Sequence, residues 1–182
     1  IGSPADAIRE GIMYAPEDRR LHGVFLGQSI AMNVSVASLR ACSGKVLMSS
    51  AKESGLARRM VDTLDIKVNS IDQEAGSLSG GNQQKVVLAK CLAVRPGVLI
   101  VDEPTRGIDI GSKIEIYAQL RAFAEQGGAV ILVSSELQEI IGLSDRVVVF
   151  RGGEIMGEVG EDMGEEAIAA LMFEHAQEPG AA

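Results

Sequence analysis

The stretch LSGGNQQK at residues 78–85 decides how this chain is interpreted, because a serine and two glycines open a helical pattern there. Unpaired N–H groups in the first turn of a helix carry partial positive charge and favour anions. Gly80 and Gly81 let an anion approach the backbone closely, and Ser79 adds a hydroxyl group. The same residues also fit a plain serine cap, so this stretch alone does not predict a phosphate site.

A short apolar strand pattern, VLIV at residues 98–101, follows that helix and ends in Asp102 and Glu103. A carboxylate at the carboxyl end of a parallel strand lies where phosphates and Mg²⁺ collect, and an adjacent glutamate can orient an attacking water. An acidic strand end can also cap the next helix. The acidic pair by itself therefore favours neither interpretation.

Short apolar runs alternate with longer helical patterns in the second half of the chain, which indicates β-α-β units and a mainly parallel sheet. This half predicts strands at 97–102 and 129–134, helices at 112–125 and 137–143, and a hairpin with strands at 146–150 and 154–159. Elsewhere the patterns predict a strand at 11–15 and helices at 30–39, 50–64 and within 163–175.

The composition is that of a folded protein. With 182 residues, 46% of them hydrophobic, the chain is long enough to bury a core and is expected to form one compact unit. A formal net charge of −8 argues against a general affinity for nucleic acid or anionic lipid. Cys42 and Cys91 follow no metal-binding spacing, so we expect reduced packing residues in a cytosolic protein.

Taken together, in this order and at this separation, the two motifs resemble the signature motif and Walker B strand of ATP-binding-cassette (ABC) ATPases. The resemblance extends to about Gly160. It identifies residues 14–18, with Glu17, as the Q-loop region, residues 106–109, with Asp109, as the D-loop, and residues 134–137, with Ser135, as the switch loop. The implied fold class is α/β, a partial ABC-type (RecA-like) P-loop NTPase core with a helical subdomain, without the leading β-subdomain and Walker A.

The resemblance also implies a division of the chain. Residues 1–23 would end the first core segment and carry the Q-loop region, 24–95 would form a helical subdomain ending in the signature helix, 96–160 would form the RecA-like core, and 161–182 would form a C-terminal helix and tail. In this family the helical subdomain receives the coupling helix of a membrane-spanning partner. The apolar residues Val24, Phe25, Leu26 and Met32 fit that contact and packing against the core equally well.

Residues 78–85, 102–109 and 133–137 closely resemble the second cassette of tandem ATPases in bacterial monosaccharide importers of the ribose, galactose and xylose type; nucleoside and autoinducer importers share the pattern. The resemblance implies an ATPase that couples turnover of ATP, with Mg²⁺, to sugar uptake on the cytoplasmic face of the cell membrane. The expected partners are a first ABC cassette, a membrane permease and, indirectly, a periplasmic sugar-binding protein, but no nucleic acid.

The resemblance assigns a role to each candidate residue. Cassettes of this family pair head to tail, so that each signature motif closes over the partner's nucleotide. Glu103 is expected to be catalytic, Asp102 to bind Mg²⁺, and the signature residues Ser79, Gly80, Gly81 and Asn82 to contact nucleotide in trans, with Asp109 in support.

Three departures from the family pattern bear on mechanism. No G-x-x-x-x-G-K-[ST] P-loop occurs in these 182 residues, so the chain alone is predicted to be inactive, and residues 1–4 resemble a cut end. Ser135 stands where most active cassettes have a histidine. Glu17 replaces the Q-loop glutamine. We therefore expect the chain's own site to be weak or regulatory, and its signature motif to serve a partner.

The residues leave two other functions open. A non-catalytic regulatory module acting in trans fits the missing P-loop and Ser135, but it gives less reason for the Asp102 and Glu103 pair. A DNA-associated ABC ATPase also carries a signature motif and a Walker B strand. The net charge of −8, and the lack of a heptad run or cysteine cluster, oppose that second alternative.

Overall fold

The computed structural model describes residues 1–43, 48–160 and 164–173. The chain divides between Val133 and Ser134 into two compact units, Ile1–Val133 and Ser134–Ala182. The expectation of one compact unit is therefore wrong, because length alone does not show where contacts between distant segments become sparse. The boundaries expected at 23/24, 95/96 and 160/161 stay a prediction.

The first unit holds six helices and three strands among its described residues. The helices are α1 (Pro4–Arg9), α2 (Ile30–Ser35), α3 (Leu39–Cys42), α4 (Ser50–Thr63), α5 (Gly80–Leu92) and α6 (Ile110–Glu125), and the strands are β1 (Ile12–Ala15), β2 (Val98–Asp102) and β3 (Ala129–Val133). Single turns of π-helix or 3₁₀-helix lie at Arg19–Gly23, Val36–Ser38 and Ala75–Ser77. The patterns did not predict α1, which begins at a Ser3 cap and a proline in its first turn.

The three strands form a parallel sheet in the order β1-β2-β3. The register pairs Tyr14 with Ile100 and Ile100 with Ile131, so these three residues share one face. Tyr14 and Ile131 are each 51% exposed there, whereas Leu99 and Val101 on the opposite face are fully buried. The core of the first unit therefore lies on one face of the sheet.

Helix α5 runs through the centre of this core, and its residues from Gln83 to Ala89 are all buried. Among them is the charged residue Lys85, whose Nζ donates a 2.7 Å hydrogen bond to the carbonyl of Asp65 and pairs with Glu115 at 2.8 Å. A buried ammonium group needs such partners, since its desolvation is otherwise costly. Lys85 thus joins α5 to the segment after α4 and to α6, which fixes the helix that begins at the signature motif.

The second unit contains α7 (Leu137–Leu143), β4 (Val147–Arg151), β5 (Glu154–Val159) and α8 (Glu165–Phe173). The predicted hairpin is confirmed: β4 and β5 are antiparallel, and Gly152 and Gly153 both have positive φ in the turn between them. Val147, Val149 and Ile168 form a small core. The helix expected within 163–175 is confirmed over α8, and the remainder of that range lies outside the described residues.

Two further expectations concern single residues and spans. Cys42 and Cys91 are both buried and free, as expected. In the described part of the chain, no helix combines the length and the hydropathy needed to cross a bilayer.

Candidate functional site

The signature turn is held by its own side chains. Ser79 has an extended backbone before α5, and its Oγ accepts hydrogen bonds from the Asn82 N–H at 3.4 Å and from Asn82 Nδ2 at 3.0 Å. Oδ1 of Asn82 accepts a 2.8 Å hydrogen bond from the N–H of Lys67. Asn82 therefore positions Ser79 and ties it to the segment after α4. Ser79 itself stays exposed, beside an open groove of about 410 Å³.

Both glycines of the motif lie close to neighbouring segments. A Cβ at Gly81 would lie 2.1 Å from Oγ and 2.5 Å from Cβ of Ser112, and a Cβ at Gly80 would lie 2.7 Å from Nη2 of Arg19. The first turn of α5 thus packs directly on the first turn of α6. The sequence links these glycines only to the approach of an anion. The structure adds that a Cβ at Gly81 would collide with α6, and that Gly80 contacts the end of the Arg19 side chain.

Asp109 begins α6 as its cap. Its Oδ1 accepts a 2.9 Å hydrogen bond from the N–H of Ser112, and its Oδ2 accepts a 2.8 Å bond from the Ser112 hydroxyl. These two hydrogen bonds hold the pKa of Asp109 below its ordinary value, and the bond from the backbone N–H has the larger effect. The helix dipole favours the same ionised form. The predicted D-loop residue is therefore an ionised cap within reach of the signature turn.

Asp102 and Glu103 lie at the carboxyl end of β2. The hydroxyl of Tyr14 donates a 2.8 Å hydrogen bond to Oδ2 of Asp102, and this bond raises the pKa of Tyr14. Glu103 has a left-handed backbone, with φ of +45°, and its N–H donates to the carbonyl of Val133 at 2.8 Å. This conformation is strained for a glutamate, and strain of this kind concentrates at functional sites.

Glu17, at the predicted Q-loop position, forms an ion pair with Arg106 in the loop after β2. Both side chains are exposed, so the pair contributes little to stability. The ion pair instead positions the chain, because it joins the segment after β1 to the segment that leads to Asp109.

Ser135, at the predicted switch position, belongs to the second unit and is exposed just before α7. The neighbouring Ser134 donates its hydroxyl to Glu139 and accepts a 3.0 Å hydrogen bond from the N–H of Glu136. The other predicted site residues lie in the first unit. Ser135 is therefore the one predicted site residue that the structure places outside that unit.

A bound Mg²⁺ would depend on acidic residues for its protein ligands. In residues 1–43, 48–160 and 164–173, no three His, Cys, Asp or Glu side chains are grouped so as to hold a metal ion. Mg²⁺ prefers oxygen ligands and in nucleotide sites is held by one or two carboxylates together with phosphates and water. Asp102 fits such a site as a single protein ligand, with the remaining ligands supplied by nucleotide and water.

Three residues that hold this region together have no individual role assigned from the sequence, although Tyr14 falls within the expected Q-loop region. Tyr14 binds Asp102, Ser112 binds Asp109, and Arg19 donates to the carbonyl of Arg106. Arg19 and Arg106 are 87 positions apart, so no local pattern reveals their contact. The Ser112 contact has a local signal, since a helix cap commonly bonds the residue three positions later.

A family model described as ABC transporter matches residues 4–106, more than half of the chain. The chain belongs to the ABC transporter family. This match confirms the family predicted from residues 78–85 and 98–103.

Curated relatives narrow the similarity within the ABC transporter family. The chain is 51% identical over 169 residues to "Ribose import ATP-binding protein RbsA" of Roseobacter denitrificans, and the aligned region covers 92% of the chain and 33% of that relative. It is 52% identical to "Ribose import ATP-binding protein RbsA 1" of Rhizobium meliloti, covering 86% of the chain and 31% of that relative. The chain thus spans about a third of the length of the curated relatives it matches.

Solved structures confirm the α/β ABC fold class. The chain superposes on the ATP-binding cassette MJ1267 with a TM-score of 0.74 and 20% sequence identity, and the superposition covers 94% of the chain and 69% of that cassette. The TM-score is 0.71 with a dimeric ATP-binding cassette, MJ0796, bound to ADP and Pi, also at 20% identity and covering 85% and 65%. At this level of identity the likeness concerns the fold.

Proposed function

We propose that the chain is part of the ATP-hydrolysing subunit of a bacterial ABC importer for a monosaccharide, and that its signature turn completes the nucleotide site of a partner cassette. The observation that carries the proposal is the rigid, exposed turn at Ser79, held by Asn82 and packed on the cap formed by Asp109. The names of the relatives at 51% and 52% identity support a ribose-like substrate.

In this function the signature residues bind phosphate. The first N–H groups of a helix have no partner within the helix, so that of Gly80 would be available to an anion, with the exposed Ser79 hydroxyl beside it. Asp102 would supply one oxygen to Mg²⁺, which when bound neutralises charge on the phosphates. Glu103 would orient the attacking water beside Asp102, at the chain's own site rather than at the partner's.

The expected partners belong to the same proposal. A first ABC cassette would supply the P-loop of the shared site, and a permease would contact the helical segment of residues 24–95. Phe25 is 53% exposed and suits that contact, whereas Val24 is buried in the core and suits packing. A periplasmic sugar-binding protein would act through the permease. The subunit would lie in the cytoplasm against the inner face of the membrane, with ATP and Mg²⁺ and without nucleic acid.

The test is steady-state ATP turnover by the full-length protein carrying Ser79→Arg. We expect a loss of about 100-fold, because the arginine removes a hydroxyl aimed at phosphate and fills the exposed turn. Ser50→Arg is the matched control, since it adds the same bulk and charge at an exposed serine at the start of α4. Unchanged turnover in Ser79→Arg would contradict the proposal.

Glu103→Gln separates the two possible sites. If the signature serves a partner and the chain's own site is regulatory, Glu103→Gln keeps most of the turnover that Ser79→Arg loses. If both variants lose turnover, the chain's own site hydrolyses ATP as well. If neither does, the alternative of a non-catalytic module becomes the better account.

A further inference from the structure

Arg19 lies between three segments of the candidate site. It opens the π-helical turn Arg19–Gly23, which Asp18 caps. Nη1 of Arg19 donates a 2.9 Å hydrogen bond to the carbonyl of Arg106, and Nη2 donates at 3.4 Å to the carbonyl of Gly107. The guanidinium group therefore holds the loop that leads from Glu103 to Asp109.

The turn that Arg19 opens packs on the signature helix at its last residue, Gly23. A Cβ at Gly23 would lie 2.8 Å from Cγ2 of Val87, which shows how closely the π-helical turn packs on α5. Lys90, also on α5, donates a hydrogen bond from its Nζ to the carbonyl of Gly23. The π-helical turn is thus attached to α5 at Gly23, the end of the turn opposite Arg19.

The guanidinium also contacts the signature turn itself. A Cβ at Gly80 would lie 2.7 Å from Nη2 of Arg19 and 3.6 Å from the carbonyl oxygen of Gly107. Arg19 therefore touches the first residue of α5 and two carbonyls of the 103–109 loop at the same time. A planar group with several donors in a fixed fork suits this geometry, which a lysine cannot reproduce.

This arrangement is costly if stability is its only purpose. Nε of Arg19 is buried and has no hydrogen-bond partner among the described residues. Burial also lowers the pKa of Arg19, because it disfavours the charged form. A buried unpaired donor calls for an explanation beyond packing.

We propose that Arg19 is a positioning residue that locks the 103–109 loop to the first turn of the signature helix, so that Asp109 and Ser79 form one fixed surface. The inference rests on the proposed function, in which that surface closes over a nucleotide. Displacement of a positioned group by about 1 Å can reduce turnover by up to about 100-fold.

The test compares Arg19→Gln, Arg19→Lys and Arg20→Gln in the full-length protein. Arg20 is the matched control, because it is the adjacent arginine and is exposed. The first measurement is amide hydrogen exchange in peptides that cover residues 103–112. We expect exchange there to become about fivefold faster in Arg19→Gln, the effect of losing one hydrogen bond, and unchanged in Arg20→Gln.

The second measurement is ATP turnover. We expect kcat to fall about 10- to 100-fold in Arg19→Gln with the KM for ATP unchanged, and Arg19→Lys to lie between Arg19→Gln and the parent. A purely structural role would instead lower the thermal unfolding midpoint and leave kcat per folded molecule unchanged. If Arg19→Gln does not fold, Arg19→Lys carries both measurements.

Three results would overturn the inference: unchanged exchange in 103–112, faster exchange with unchanged kcat, or full function in Arg19→Lys. Failure of the proposed function would be recognised by a different result, unchanged turnover in Ser79→Arg. Because the exchange measurement does not depend on turnover, the two failures can be told apart.

Discussion

The hydroxyl of Tyr14 donates a hydrogen bond to Oδ2 of Asp102 across the carboxyl edge of the sheet, with 2.8 Å between the two oxygens. Tyr14 lies on β1 and Asp102 is the last residue of β2, so the bond fixes the orientation of the acidic side chain at the end of that strand. It also couples the two side chains electrostatically, because the negative carboxylate opposes loss of the tyrosine proton.

Asp102→Asn is expected to lower the pKa of Tyr14 towards its ordinary value, because the amide carries no charge and accepts a weaker hydrogen bond. The measurement is tyrosinate absorbance against pH, with the Tyr14→Phe protein subtracted to isolate this residue. A raised pKa for the neutral acid means that its contribution to stability is complete below the ordinary value and is lost as pH rises through the raised one. An identical Tyr14 titration in Asp102→Asn would contradict this coupling.

Gly81→Ala is expected to destabilise the protein by about 1–3 kcal/mol, because the new Cβ would lie 2.1 Å from Oγ and 2.5 Å from Cβ of Ser112 and α6 must shift. Gly55→Ala in α4 is the control, since its Cβ would meet nothing closer than 3.7 Å. There the substitution should stabilise by up to about 1 kcal/mol, the usual advantage of alanine in a helix. Urea denaturation gives both values, and equal effects at the two positions would refute the packing argument.

The contacts of Gly81 and Arg19 show the limit of what sequence patterns can predict. The patterns located α4, α7 and the β4-β5 hairpin to within a few residues, because periodicity and turn residues are local properties. They could not reveal that Gly81 faces Ser112 or that Arg19 reaches Arg106, since those contacts join segments far apart in the chain. The resemblance named the site residues, and the structure supplied the contacts that hold them.

Glu103 provides a test of backbone strain. Because φ at this position is +45°, the Glu103→Gly protein should be about 1 kcal/mol more stable than the Glu103→Ala protein: only glycine adopts this region without a steric penalty. The order should reverse at Glu125, the last residue of α6, where alanine is the better helix former. The free energy of unfolding of the four variants is the measurement. A more stable Glu103→Ala than Glu103→Gly would show that the strain is not present in solution.

Cys91 lies within α5 with no exposed surface, and burial raises the pKa of its thiol to about 11. The thiolate is the reactive form, so Cys91 should not react with a thiol reagent near neutral pH until the protein unfolds. Mass spectrometry of the Cys91 peptide, with and without denaturant, measures this difference in reactivity.

Because the pKa of the Cys91 thiol is raised in the folded state, stability from the neutral thiol is complete below its ordinary pKa and is lost as pH rises towards about 11. Cys91→Ala removes that dependence at the cost of a smaller side chain, so the parent should lose stability relative to Cys91→Ala as pH rises through this range. Labelling of Cys91 in the native protein, at the rate seen in denaturant, would mean that α5 opens far more readily than its central position in the core implies.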